Sequence, residues 1–205
     1  MKTMVAEKTL TELAIEREER YGAHNYHPLP VVLERGEGVF VWDVEGKKYY
    51  DFLSAYSALN QGHNHPKIVK ALIDQVQKLS LTSRAFHNNC LGEYEQYITG
   101  YFKYDKVLPM NSGAEGVETA IKLARRWSYV KKGIPENNAK IIVCEGNFHG
   151  RTITTVKATG QSSMHTPNFA PYPEGFSYYN YINDIYNAID DETVAVMMEL
   201  IQGEG

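Results

Sequence analysis

Residues 107–144 open on Val107-Leu108-Pro109-Met110, pass through Asn111-Ser112-Gly113-Ala114-Glu115 and end in Ile141-Ile142-Val143-Cys144. The first and last runs are short and wholly apolar, as strands buried on both faces are. Between them Val117, Ile121, Ala124, Trp127 and Val130 recur at helical spacing. This predicts a long helix from Gly113 to about Lys131, ended by Gly133 and Pro135. Strand, helix and strand in that order predict a parallel sheet with a right-handed crossover. At the helix start Ser112 is a natural N-cap, and Glu115 completes the pattern of a capping box. Gly113 and Ala114 leave their backbone N–H groups uncrowded. Those donors and the helix dipole favour an anion, typically a phosphate. A plain cap that binds nothing carries the same signature, and capping boxes are common.

The segment after Cys144 is Gly146-Asn147-Phe148-His149-Gly150-Arg151-Thr152. Ligands of open α/β sheets sit beyond the carboxyl ends of strands, so this loop and the Ser112 turn are expected at one rim. Phe148 offers a face to a planar ring, and Arg151 a fork for a carboxylate. Taken singly, a core phenylalanine and a surface arginine are the commoner readings. Further on, Ile182 to Ile189 is helix-like and Val194-Ala195-Val196-Met197-Met198 reads as a third buried strand.

Upstream, Pro66 suits a first helical position, and Ile68, Leu72, Val76 and Leu79 give that helix one apolar face. A second helix is expected from about Cys90 to Phe102. Val31 to Leu33, Gly38 to Trp42 and Lys48 to Leu53, with a turn at Val44–Lys47, predict a small antiparallel unit. Thr9 to Arg20 reads as a short amphipathic helix, followed by an irregular loop from Gly22 to Pro30.

The chain has 205 residues, a net charge of −4 and ordinary apolar and charged fractions. Nothing in that balance favours nucleic acid or an anionic membrane as partner. The two cysteines, Cys90 and Cys144, form no CxxC, and the histidines show no metal spacing, so no metal is assigned. The N-terminus has no apolar run of the kind a signal peptide carries, no stretch is long enough to span a membrane, and Glu7, Glu12 and Glu16 argue against a transit peptide. A cytoplasmic protein is expected, or a matrix form already processed. The chain stops at Gly205, directly after the third strand, and an uncovered central strand predicts a fragment of a larger domain.

Asn111 to Ala120 and Gly146 to Thr152, in this order and separation, resemble the class-III aminotransferases. Two further stretches, Tyr21 to Val31 and Asp51 to His63, narrow the resemblance to the ornithine aminotransferases. It covers nearly all of the chain from about residue 20. It implies an α/β fold type I transferase dependent on pyridoxal 5'-phosphate. Its large-domain sheet would be of parallel type with helices on both faces, beside part of a small α+β domain, all truncated here. Residues 1–60 would be the N-terminal arm and part of the small domain, and residues 61–205 the first part of the cofactor-binding large domain. The implied function is transfer of the δ-amino group of L-ornithine to 2-oxoglutarate, by a homodimer or higher homo-oligomer.

The resemblance also implies roles. Ser112, Gly113 and Ala114 would hold the cofactor phosphate and Phe148 would stack on its ring. Arg151 would receive the α-carboxylate of the glutamate/2-oxoglutarate pair. Tyr26 would contact the carboxylate of ornithine and Tyr56 would line the substrate pocket. Glu204 would pair with a later arginine and mask it in the ornithine half-reaction. The lysine that carries the cofactor, and the acid that faces its ring nitrogen, lie in the family beyond the point where this chain stops. No catalytic residue is therefore assigned within residues 1–205, and these residues alone are expected to be inactive. Leu200 stands where ornithine aminotransferases commonly carry proline, and Gly205 where many have alanine. Acetylornithine and other ω-amino-acid aminotransferases share such variants and remain alternatives. So does a non-catalytic paralogue serving as a dimer partner. A generic phosphate-binding domain would explain the Ser112 turn only.

Overall fold

The computed structural model describes residues 7–160, 169–180 and 182–203. Contacts divide the chain into two compact units, residues 1–91 and 92–205.

In the first unit, α1 (Leu10–Tyr21) starts at a reciprocal cap. The Thr9 hydroxyl accepts from the Glu12 N–H at 3.1 Å, and the Glu12 carboxylate accepts from the Thr9 N–H at 2.8 Å. The helix is tied to the antiparallel sheet by Thr11, whose N–H donates to Glu45 at 3.0 Å. Its Leu10 and Leu13 remain exposed. The sheet runs β1 (Leu33–Glu37), β2 (Phe40–Asp43) and β3 (Lys48–Tyr50), in that order. The expected strand at Val31–Leu33 begins only at its last residue, because the Val31 N–H is spent locally on the Leu29 carbonyl at 2.7 Å. The expected strand Lys48–Leu53 stops at Tyr50. There the Asp51 carboxylate takes the N–H groups of Leu53 and Ser54, at 3.0 and 2.8 Å, and turns the chain away. The β2–β3 turn is held by Asp43, which accepts from the N–H groups of Glu45 and Lys47 and from the Tyr49 hydroxyl at 2.6 Å. The Tyr49 bond is the main reason the Asp43 carboxyl lies below its usual range. Next, α2 (Pro66–Val76) takes Pro66 into its first turn. Its face of Ile68, Leu72 and Val76 is more than half exposed, and Leu79 lies past its end.

In the second unit, α3 (Leu91–Phe102) precedes α4 (Gly113–Trp127). The expected strand at Val107–Met110 does not form. Pro109 has no N–H to give a ladder, and Leu108 is exposed. After Trp127 the helix widens through Ser128–Lys132 and stops at Gly133, whose φ of 77° is the left-handed conformation that favours glycine. Ser128, two turns past Ile121, is buried, whereas Trp127 and Val130, expected on the apolar face, are exposed. The chain continues through β4 (Lys140–Cys144), α5 (Ile153–Ala158), β5 (Phe176–Tyr179), α6 (Ile182–Ala188) and β6 (Thr193–Met197).

The three strands form a parallel sheet in the order β5-β4-β6. The parallel sheet is thus built from the β4–α5–β5 and β5–α6–β6 connections rather than from a strand before α4. Strand β4 is central: Ile141, Ile142 and Val143 are each 0% exposed, which is worth about 1.5–3 kcal/mol per side chain. Ile141 and Val143 share one face and pack with Ile121 of α4 and Ala158 of α5, bordered by Val117, Ala124, Phe176 and Met197. Ile142 takes the opposite face. Helix α6 also packs on β4 and β5, and its Ile185 is buried. No helix among the described residues is long and apolar enough to cross a membrane.

Candidate active site

Helix α4 begins in the open. Ser112 is extended, with φ −146° and ψ 164°, and its hydroxyl accepts from the Glu115 N–H at 3.2 Å. The other half of the expected capping box is shifted by one residue, since the Glu115 carboxylate takes the Asn111 N–H at 2.8 Å. The N–H groups of Gly113 and Ala114 have no partner among the described residues. A Cβ placed on Gly113 would meet nothing within 4 Å. The positive end of a 15-residue helix therefore presents two backbone donors and one hydroxyl to open space. Such a set suits a phosphate or another small anion.

The loop after β4 is fixed atom by atom. The Gly146 N–H donates to the Gly160 carbonyl at 3.1 Å and the His149 N–H to the Thr159 hydroxyl at 3.1 Å. Phe148 donates its N–H to the Glu199 carboxylate at 2.9 Å. Gly150 has φ +127°, and a Cβ there would stand 2.8 Å from the Thr155 hydroxyl, so the bend into α5 requires glycine. Thr152 and Thr155 form a reciprocal cap at the start of α5. The Thr152 hydroxyl also donates to Glu118 of α4 at 2.7 Å. Glu118 lies little more than a turn past Gly113, so this bond brings the Phe148–Arg151 loop to the same end of the sheet as the Ser112 turn. Phe148 is half-buried and Arg151 exposed.

Beside Phe148, the buried Nε2 of His149 has no hydrogen-bond partner among the described residues. Burial lowers the pKa of that imidazole, and the negative charge of Glu199 opposes the shift only in part. Cys144, at the end of β4, is buried, and desolvation pushes its thiol up.

The remaining expected residues fall elsewhere. Tyr26 lies in the first unit, lining a groove of about 770 Å³ with Ile15, His24 and Leu33. Tyr56 is 77% exposed and sits in four consecutive residues, Ser54 to Ser57, with φ between 47° and 68°. A left-handed run without glycine costs about 1–2 kcal/mol per residue. Here the Asp51 carboxylate accepts the first N–H of the run, that of Ser54, at 2.8 Å, and His63 Nε2 lies 2.7 Å from Asp51 Oδ2. Glu204 lies outside the described residues.

Sequence reasoning missed Asn147, Glu118, Thr152 and Glu199 as structural members of the rim. Only Thr152 carried a signal, as a threonine cap just before a helix; nothing local marks the others.

The family model for "Aminotransferase class-III" matches residues 21–205. The chain belongs to the class-III aminotransferase family. An ornithine aminotransferase, mitochondrial, from Drosophila ananassae is 59% identical over 199 residues, which cover 96% of this chain and 46% of that protein. The crystal structure of the ornithine aminotransferase from Toxoplasma gondii ME49 superposes with a TM-score of 0.91 at 40% identity, over 96% of this chain and 47% of the other. An acetylornithine aminotransferase from Elizabethkingia anophelis is 57% identical with a TM-score of 0.77, over 96% and 46%. The chain thus spans about half the length of the relatives it matches. Class-III aminotransferases depend on pyridoxal phosphate, and the fold described above is part of their α/β fold type I. The open N–H donors of Gly113 and Ala114 beside the Ser112 hydroxyl fit the phosphate of that cofactor, a dianion that accepts only.

Proposed function

We propose that the protein containing this chain is an ornithine aminotransferase. It would move the δ-amino group of L-ornithine to 2-oxoglutarate, giving glutamate-5-semialdehyde and glutamate. The observation that carries this reading is the bare start of α4, tied through the Thr152–Glu118 bond to the loop bearing Phe148 and Arg151. The identity to ornithine aminotransferases over nearly all of the chain supports it.

In this reading Ser112, Gly113 and Ala114 hold the cofactor phosphate, and Phe148 lies against the ring. The cofactor, when bound, supplies the electron sink that amino-group transfer needs. Arg151 receives the α-carboxylate of glutamate or 2-oxoglutarate through its fork of donors. Tyr26 meets the ornithine carboxylate, and Tyr56 lines the pocket for its side chain. Glu204 supplies the charge that lets one site take a cationic amine in one half-reaction and a dicarboxylate in the other. Residues 1–60 serve as arm and small-domain portion, and residues 61–205 as the first part of the large domain. The exposed apolar side chains of α2 suit a homodimer or higher homo-oligomer, with small-molecule partners and neither nucleic acid nor membrane. The compartment is the cytoplasm or the mitochondrial matrix; the Drosophila relative is named as mitochondrial.

The test is a rate comparison on the full-length protein loaded with pyridoxal phosphate. Ornithine should be consumed with 2-oxoglutarate to a cyclising semialdehyde faster than N-acetylornithine or 4-aminobutyrate is consumed. Faster turnover of N-acetylornithine would replace the proposed donor.

A further inference from the structure

Glu199 follows β6 and has no assigned role, yet its three hydrogen bonds join the loops at the ends of neighbouring strands. Its N–H donates to the Asn147 side-chain carbonyl at 2.7 Å. Its carboxylate accepts from the Phe148 N–H at 2.9 Å and from the Gly203 N–H at 3.3 Å. Asn147 is 1% exposed, so its side chain cannot swing to water. The bonds are reciprocal: the side chain of Asn147 holds the backbone of Glu199, and the side chain of Glu199 holds the backbone of Phe148. A rigid two-sided clip of this kind fixes a peptide in position and direction.

Gly146 and Asn147 spend their N–H groups on the carbonyls of Gly160 and Cys144, and His149 on the Thr159 hydroxyl. Those acceptors belong to β4 or to the two residues that follow α5. Of these four residues, Phe148 is the one whose N–H is held by a charged side chain from another strand end. A carboxylate acceptor makes that bond roughly twice as strong as a neutral one. With its own N–H and that of His149 both bonded, the peptides on either side of Phe148 are held, and side-chain rotation is its main freedom.

We propose that Glu199, clipped by Asn147, is a positioning residue that sets the pose of the Phe148 ring against the cofactor. This rests on the reading that Phe148 stacks on that ring. Glu199 acts through Phe148, and its effect on cofactor binding disappears when the ring is absent.

The experiment is a double-mutant cycle on the full-length protein, with Glu199→Ala, Phe148→Ala and the double variant. Two quantities are read: the Kd for pyridoxal phosphate on the cofactor-free protein, and the induced circular dichroism of the bound cofactor's visible band. Glu199→Ala should weaken binding about tenfold and alter the dichroism. In the Phe148→Ala background the same change should shift Kd less than about twofold. Should Glu199→Ala fail to fold, Glu199→Gln, which keeps one carbonyl acceptor, should show a smaller loss with the same dependence on Phe148. Equal losses in both backgrounds, or an unchanged Kd and dichroism, would overturn the proposal alone. A full-length protein that binds no pyridoxal phosphate would overturn the functional reading and this inference with it.

Discussion

Replacing Ser112 by alanine separates two jobs done by one oxygen. The hydroxyl caps α4 through the Glu115 N–H at 3.2 Å, and its loss costs about 1 kcal/mol of stability. The Glu115–Asn111 bond at 2.8 Å survives the change and keeps the helix start formed. Melting should therefore fall by no more than about 4 °C. Toward a bound phosphate the same oxygen is a donor to a charged acceptor, worth about 1.5–3 kcal/mol. That converts to a rise of roughly 10- to 100-fold in Kd for pyridoxal phosphate. Pyridoxal, which lacks the phosphate, should bind both proteins alike, and Ser112→Thr should restore most of the loss. Titration of the cofactor-free full-length proteins, followed by absorbance, gives all three values. If pyridoxal and its phosphate lose affinity equally, the effect arises from disturbed folding, and the phosphate role assigned to this turn is wrong.

Three other outcomes follow from the structure. Ile141→Ala empties a site at 0% exposure between α4 and α5 and should destabilise the protein by about 2–5 kcal/mol, read from the urea midpoint. The Asp51 carboxyl is depressed first by the Ser54 N–H and then by His63, so its contribution is full above the unfolded value of about 3.9 and is lost as pH falls through the lower folded value. The melting difference between wild type and Asp51→Asn should accordingly shrink in acid below pH ~4; a constant difference would refute the linkage. Arg151→Lys trades a fork for a point charge and should raise KM for 2-oxoglutarate about tenfold or more while changing KM for ornithine little, checked by steady-state kinetics of each half-reaction.

Except for α5, the helical elements and the antiparallel unit were legible because they rest on local signals. Thr9 and Ser112 mark helix starts, Pro66 a first turn, Gly133 a stop, and Ile141–Cys144 is apolar enough to declare a buried strand. The strand expected at Val107–Met110 failed because Pro109 removes a ladder donor, and the run stays largely exposed although it is apolar. Strand β5 went unseen because Phe176-Ser177-Tyr178-Tyr179 reads as part of a tyrosine-rich loop, and its partner β4 lies more than thirty residues away. The same limit hid the rim. Ser112 and Phe148 stood out by their positions beside a helix start and a strand end. Asn147, Glu118 and Glu199 act through partners 34 to 52 residues distant, a distance no local pattern encodes. Tyr26 and Tyr56 were singled out only by resemblance, since nothing in their neighbours distinguishes them from the other tyrosines of the chain.

The most direct measurement is a crystal structure of the full-length protein with pyridoxal phosphate. The phosphate oxygens should lie within hydrogen-bond reach of the Ser112 hydroxyl and the Gly113 and Ala114 N–H groups, with the ring against Phe148. A phosphate bound away from the first turn of α4, or that turn covered by protein side chains, would contradict the account.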